Sequence, residues 1–180
     1  MRFVFMSDWF YNEEHIGAKI KSPIDFVVGL NRSVPMNFKD PVQLIAVQKI
    51  LGQVLLDPPN VAGWKGGRSW IDSNTILLRL RLPSMLLNNA YISKKEKGEF
   101  NDAMSDMMSS RNNNKGYFKV ESDWKSFNRI YQNVSIDNLK HHLILSDINP
   151  GTLNYLSGLG KASKKEYCIQ LMSLPEYQMC

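Results

Sequence analysis

Apolar residues recur along much of this chain at spacings of three and four, between breaks marked by proline, serine or acid, which is the period of helices packed through one face. Ser22-Pro23-Ile24-Asp25 reads as a helix start, with serine as N-cap, proline at the first helical position and a carboxylate at N3 near the positive end of the macrodipole. Ile24, Val27 and Val28 share one face of that helix, which the Pro35-Met36-Asn37 stretch ends. Asp40-Pro41-Val42-Gln43 repeats the start signal, now with glutamine at N3. Leu44, Val47, Leu51, Val54 and Leu55 then make a stripe that Ile45 and Ile50 widen, so this second helix is expected to be largely buried.

Farther on, Ser73-Asn74-Thr75 caps a run through Ile76, Leu77, Leu78, Leu80 and Leu82. Leu78-Arg79-Leu80-Arg81-Leu82 alternates as a strand would, but the run continues into Met85, Leu86 and Leu87 with no comparable strand nearby, so helix is the reading. Pro83 is expected to kink it or to end it one residue earlier. Residues 93–134 change to lysine, asparagine and serine, a loop-rich variable segment within which 122–132 is expected to form a short helix presenting Trp124, Phe127 and Tyr131 on one face. Ser135 heads a helix with Ile136, Leu139 and Leu143; Asn149-Pro150-Gly151 turns the chain before at most two turns at Thr152 to Leu156; Ser163 caps a last helix bearing Tyr167, Cys168, Leu171 and Met172. The expected fold is mainly α, an irregular helical bundle with few or no strands, forming a single domain over residues 1–180.

Composition trims the functional classes. The longest apolar windows, Ile76 to Leu82 and Leu143 to Leu145, fall far short of the ~20 residues of a membrane span. The start of the chain has no h-region or cleavage site of a signal peptide, since Asp8 interrupts it. Cys168 and Cys180 are too few for a disulfide framework and form no metal-ligand spacing, so a buried thiol and an incidental terminal one are expected. The balance of 22 basic against 17 acidic residues gives a net charge of +5, with lysine clusters at Lys94, Lys95 and Lys97 and at Lys161, Lys164 and Lys165. Neither cluster is interleaved with aromatic residues, so solvated faces are expected rather than a nucleic-acid surface.

The stretch Asp57-Pro58-Pro59-Asn60-Val61-Ala62-Gly63-Trp64-Lys65-Gly66-Gly67-Arg68-Ser69-Trp70 belongs to no repetitive element. Paired prolines fix φ and remove donors, glycines permit positive φ, and two tryptophans supply amphipathic anchors, so a long ordered loop is expected. Three segments together carry a resemblance: Gly17-Ala18-Lys19-Ile20-Lys21-Ser22-Pro23-Ile24-Asp25-Phe26-Val27-Val28-Gly29-Leu30; Leu51-Gly52-Gln53 leading through this loop; and Leu171-Met172-Ser173-Leu174-Pro175-Glu176-Tyr177-Gln178. In this order they are similar to the C-terminal half of the bacterial domain of unknown function 1800 family. That resemblance implies a helical, exported protein, periplasmic or extracellular, often encoded beside a sulfatase-like family, with no established activity, cofactor or catalytic residue. It also implies that the chain is a fragment lacking an N-terminal half, and that its partner is that half or another envelope protein.

The candidate sites are few. Gly63, Gly66 and Gly67 can expose backbone N–H groups as an anion nest, with Lys65, Gly66, Gly67 and Arg68 as the binding residues for phosphate, sulfate or carboxylate. The competing expectation makes Trp64, Trp70, Asp57 and Asn60 structural anchors, with Arg68 hydrogen-bonded to carbonyls or to Asp57 or Asp72. The loop lacks the Gly-Lys-Ser/Thr of a P-loop. His141 and His142 sit ~100° apart on a helix and do not readily face one ion, and His15 beside Glu13 and Glu14 has no partner identifiable from sequence. Ser69 and Ser73 lack a nucleophile elbow, and Ser73 reads better as a helix cap. No metal, cofactor or catalytic residue is assigned. Trp9, Phe10 and Tyr11 are either core left over from an interface with a missing half or a platform for sugar rings. The leading expectation is a non-catalytic scaffold or interaction module of an exported protein; the alternatives are part of a hydrolase-like enzyme with an anion site at Gly63 to Arg68, and a carbohydrate-binding module.

Overall fold

The computed structural model describes residues 1–88, 120–159 and 162–180. Lys94, Lys95, Lys97, Lys161 and the 93–119 part of the variable segment lie outside the described residues. Eight helices are described: α1 (Arg2–Phe5), α2 (Pro23–Ser33), α3 (Pro41–Leu51), α4 (Ser73–Leu87), α5 (Trp124–Ile130), α6 (Leu139–Leu143), α7 (Pro150–Gly158) and α8 (Lys164–Met172). One antiparallel ribbon joins β1 (Met36–Phe38) to β2 (Val120–Ser122), pairing Met36 with Ser122, Asn37 with Glu121 and Phe38 with Val120. The fold is mainly α, as the periodicity indicates.

Helix starts obey local chemistry. In α2 the Ser22 hydroxyl accepts the Asp25 N–H while the Asp25 carboxylate accepts the Ser22 N–H, a reciprocal box behind Pro23. Ser163 and Glu166 repeat that box at α8, and the Asp40 carboxylate accepts the Val42 N–H ahead of Pro41. Three starts differ from expectation. Asp72, not Ser73, caps α4, accepting the N–H groups of Asn74 and Thr75; a carboxylate one residue upstream of serine takes both donors. Ser135 only accepts the Asn138 N–H, and α6 begins at Leu139, four residues on. Asn149-Pro150 is itself a cap and N1 pair, so the turn expected there is the start of the nine-residue α7.

Pro83 lies inside α4, which runs through it to Leu87. One missing N–H is tolerated because Leu82, Pro83, Met85, Leu86 and Leu87 are all buried against α8, α3 and β2, and packing outweighs the lost bond. The core is built around Phe26 and Leu30 of α2, Val47 and Leu51 of α3, Leu82 and Leu86 of α4, Phe127, Leu139, and Leu171 and Met172 of α8. The buried face of α2 is therefore Phe26, Val27 and Leu30, and Val28 is exposed. On α3, Ile45 faces water, and the helix stops at Leu51 where Gly52 takes a left-handed conformation (φ 85°), which leaves Leu55 outside the stripe. Trp124, Phe127 and Tyr131 do share a face: adjacent ring centroids lie 5.3 and 4.9 Å apart, with Phe127 fully buried. Among the described residues no helix is long and apolar enough to cross a membrane.

Candidate functional site: an aromatic surface on residues 1–16

Residues 1–16 contain no buried residue, although the segment is rich in large apolar side chains. After α1 the chain forms two tight 3₁₀ turns, Asp8–Tyr11 and Glu13–His15. Local side-chain bonds hold this shape: the Ser7 hydroxyl donates to the Phe3 carbonyl at 2.6 Å, and the Tyr11 hydroxyl to the Phe5 carbonyl at 2.8 Å. The rings meet edge to face, with centroids of Phe5 and Phe10 at 5.2 Å, Phe10 and Tyr11 at 5.2 Å, and Trp9 and His15 at 6.0 Å. Such contacts help to order a short segment that has little core of its own.

The product is a cavity of about 480 Å³ lined by Trp9, Phe10, Tyr11, Asn12, His15 and Ile16. Phe3 is 82% exposed, Met6 70%, Tyr11 66% and Trp9 52%, so the apolar surface continues beyond the cavity. Asp8, Glu13 and Glu14 stand exposed among these rings, and Arg2 is the lone basic side chain other than His15 in the segment. Directly after the segment, Gly17 is buried at φ +67°, and a Cβ there would lie 2.6 Å from Cα of Ser146. Only glycine fits both the left-handed backbone and that approach.

The Asp57–Trp70 loop is elsewhere in character. Trp64 and Trp70 are half-buried, whereas Asp57, Asn60, Lys65, Gly66, Gly67 and Arg68 are exposed. Asn60 shapes the first turn, its side-chain oxygen accepting the Ala62 N–H and its carbonyl the Gly63 N–H. Gly63 and Gly67 hold φ of +82° and +63°, and the Ser69 hydroxyl donates to the Gly66 carbonyl. The Asp72 carboxylate, a possible partner of Arg68 by sequence, is engaged by its own helix start, which holds it below the usual carboxylate range. Neither Lys65 nor Arg68 is among the residues lining the aromatic cavity. Leu56, at φ +66° and 90% exposed, was not signalled by the sequence as a left-handed residue.

His141 and His142 are both exposed on α6, and the His142 ring lies 6.2 Å from that of Tyr131. Among the described residues no three His, Cys, Asp or Glu side chains cluster as metal ligands. Burial pushes the Cys168 thiol up to about 12, so it is inert near neutral pH, while Cys180 is half-exposed.

Helical fold and aromatic surface together describe a mainly α protein with exposed apolar side chains on residues 1–16. The chain belongs to the family described as Protein of unknown function (DUF1800), whose profile matches residues 1–179. No curated protein and no solved structure matches it.

Proposed function

We propose that this protein is a non-catalytic interaction module of an exported bacterial protein, and that residues 1–16 are its docking surface. The observation that carries this reading is the ordered, exposed group of Phe3, Phe5, Met6, Trp9, Phe10 and Tyr11, held in place by its own hydrogen bonds and ring contacts. Contiguous apolar surface of this kind marks an interaction site, and tryptophan and tyrosine are the side chains that most often dominate binding energy. Exposed carboxylates at Asp8, Glu13 and Glu14 favour an envelope protein that inserts an apolar side chain flanked by lysine or arginine. A photo-crosslinking residue in place of Tyr11, expressed in the producing bacterium, tests this. One defined protein adduct is expected, lost on Trp9→Asp and weakened by salt; adducts with no protein contradict the reading.

A second reading, carbohydrate binding, is favoured by two polar side chains in the otherwise apolar lining of the same cavity. Asn12 and His15 place an amide and an imidazole beside the Trp9 and Tyr11 rings, the combination that stacks on a sugar face and bonds its hydroxyls. A saturable change of tryptophan fluorescence with oligosaccharides, absent in Trp9→Phe, together with no protein adduct at position 11, would replace the first reading by the second.

A further inference from the structure

Arg79 is fully buried in α4, with its guanidinium 5.6 Å from the centroid of the Phe26 ring. Its Nη1 donates to the Lys21 carbonyl at 3.0 Å and to Oε1 of Gln178 at 3.3 Å. Its Nε and Nη2, and the Nε2 of Gln178, are buried donors with no acceptor among the described residues. Nε and Nη2 are the two atoms whose N–H bonds run parallel, the fork that grips both oxygens of a carboxylate. Nearby, Lys21 Nζ lies 3.8 Å above the Tyr177 ring and donates to the Tyr177 carbonyl. Burial lowers the Arg79 guanidinium from its ordinary value, and no carboxylate among the described residues opposes it. A buried cation without a counter-charge costs several kcal/mol; the unmatched atoms of Arg79 and Gln178 are all donors, while the remaining unmatched buried atom among the described residues is the acceptor Oε2 of Glu176. A neutral water can accept from these donors, but it leaves the charge uncompensated.

We infer that the Nε/Nη2 edge of Arg79 is a binding site for a small free carboxylate. The enclosure favours a small molecule over a protein side chain. The strip that supplies Gln178 is a short flap: Lys21 N–H bonds the Gln178 carbonyl at 2.8 Å, and Lys19 and Cys180 exchange two backbone bonds at 3.0 and 2.7 Å. Three backbone bonds and the Lys21 Nζ bond to the Tyr177 carbonyl can open locally more readily than the core, which gives the ligand a route in.

The test is acetate titration of the intact chain at constant ionic strength, followed by the Arg79 Nε–H NMR signal and by thermal unfolding. The signal, assigned by its loss in Arg79→Met, is expected to move saturably. At about ten times Kd the wild type gains about 3–5 °C in Tm, while Arg79→Lys, which keeps the charge but not the fork, gains none. Should the Nε–H signal stay fixed, or both proteins gain equally, the site is filled by water or shielded by packing alone and the inference fails. If Arg79→Met does not fold, Arg79→Lys provides the assignment, and the same two outcomes decide.

Discussion

The core around α4 and α8 and the segment 1–16 draw on the same side-chain types and use them oppositely. In the core Phe127 is covered on every side and ring contacts add to burial. In the segment Trp9, Phe10 and Tyr11 make ring contacts of similar spacing yet keep much of their surface in water. Aromatic clustering orders a backbone in both places, but only in the core does it also remove apolar area from solvent, the larger stabilising term. The segment's rings are thus ordered with most of their binding surface still free, the property a docking site needs.

Substitutions should separate these regions. The largest effect belongs to the core: Phe127→Ala is expected to cost about 3–5 kcal/mol in urea unfolding, as a fully buried ring leaves a cavity. Next is the hinge between the regions. Gly17→Ala meets both a positive φ and the Ser146 backbone, and is expected to cost about 1–3 kcal/mol by the same measurement; a cost near zero would show that the segment is not held against residues 144–148.

Asp72→Ala, at a cap outside both regions, is expected to cost about 0.5–2 kcal/mol. Its pH dependence follows from the lowered carboxyl. The folded value lies below the ordinary 3.8, chiefly through the Thr75 N–H, so the cap's contribution is complete above the unfolded value and is lost as pH falls through the folded one. The stability gap between wild type and Asp72→Ala should therefore close below about pH 3.8, in acid unfolding followed by circular dichroism. Smallest of all in stability is Trp9→Asp, expected to stay within about 0.5 kcal/mol of wild type because Trp9 is half in water.

What was legible in the sequence follows the range of the forces involved. Caps act over three residues, so Ser22, Asp40 and Ser163 could be read directly; where two candidate caps stood side by side, as at Asp72 and Ser73, the stronger acceptor won. Helical period gave the Trp124, Phe127 and Tyr131 face. It misplaced the face of α2, because Phe26 is drawn in by its contact with Tyr177, distant in the chain, whose ring centroid lies 6.1 Å away. The β1–β2 ribbon escaped notice because each strand is three residues long and its partner is remote. The aromatic surface was half legible: Trp9, Phe10 and Tyr11 stood out by composition, but the sequence could not show that Phe5 and His15 close around them. Burial of Arg79 was hidden, since in a run of leucines it read as an interruption.

On the proposed reading, residues 1–16 are ordered for a partner rather than for the fold. The most direct measurement is the yield of protein adduct from a crosslinker at position 11, compared between the otherwise wild-type chain and Trp9→Asp at equal levels of folded protein. The account predicts one defined adduct in the first and a near-complete loss in the second. An equal yield in both, or none in either, would contradict it.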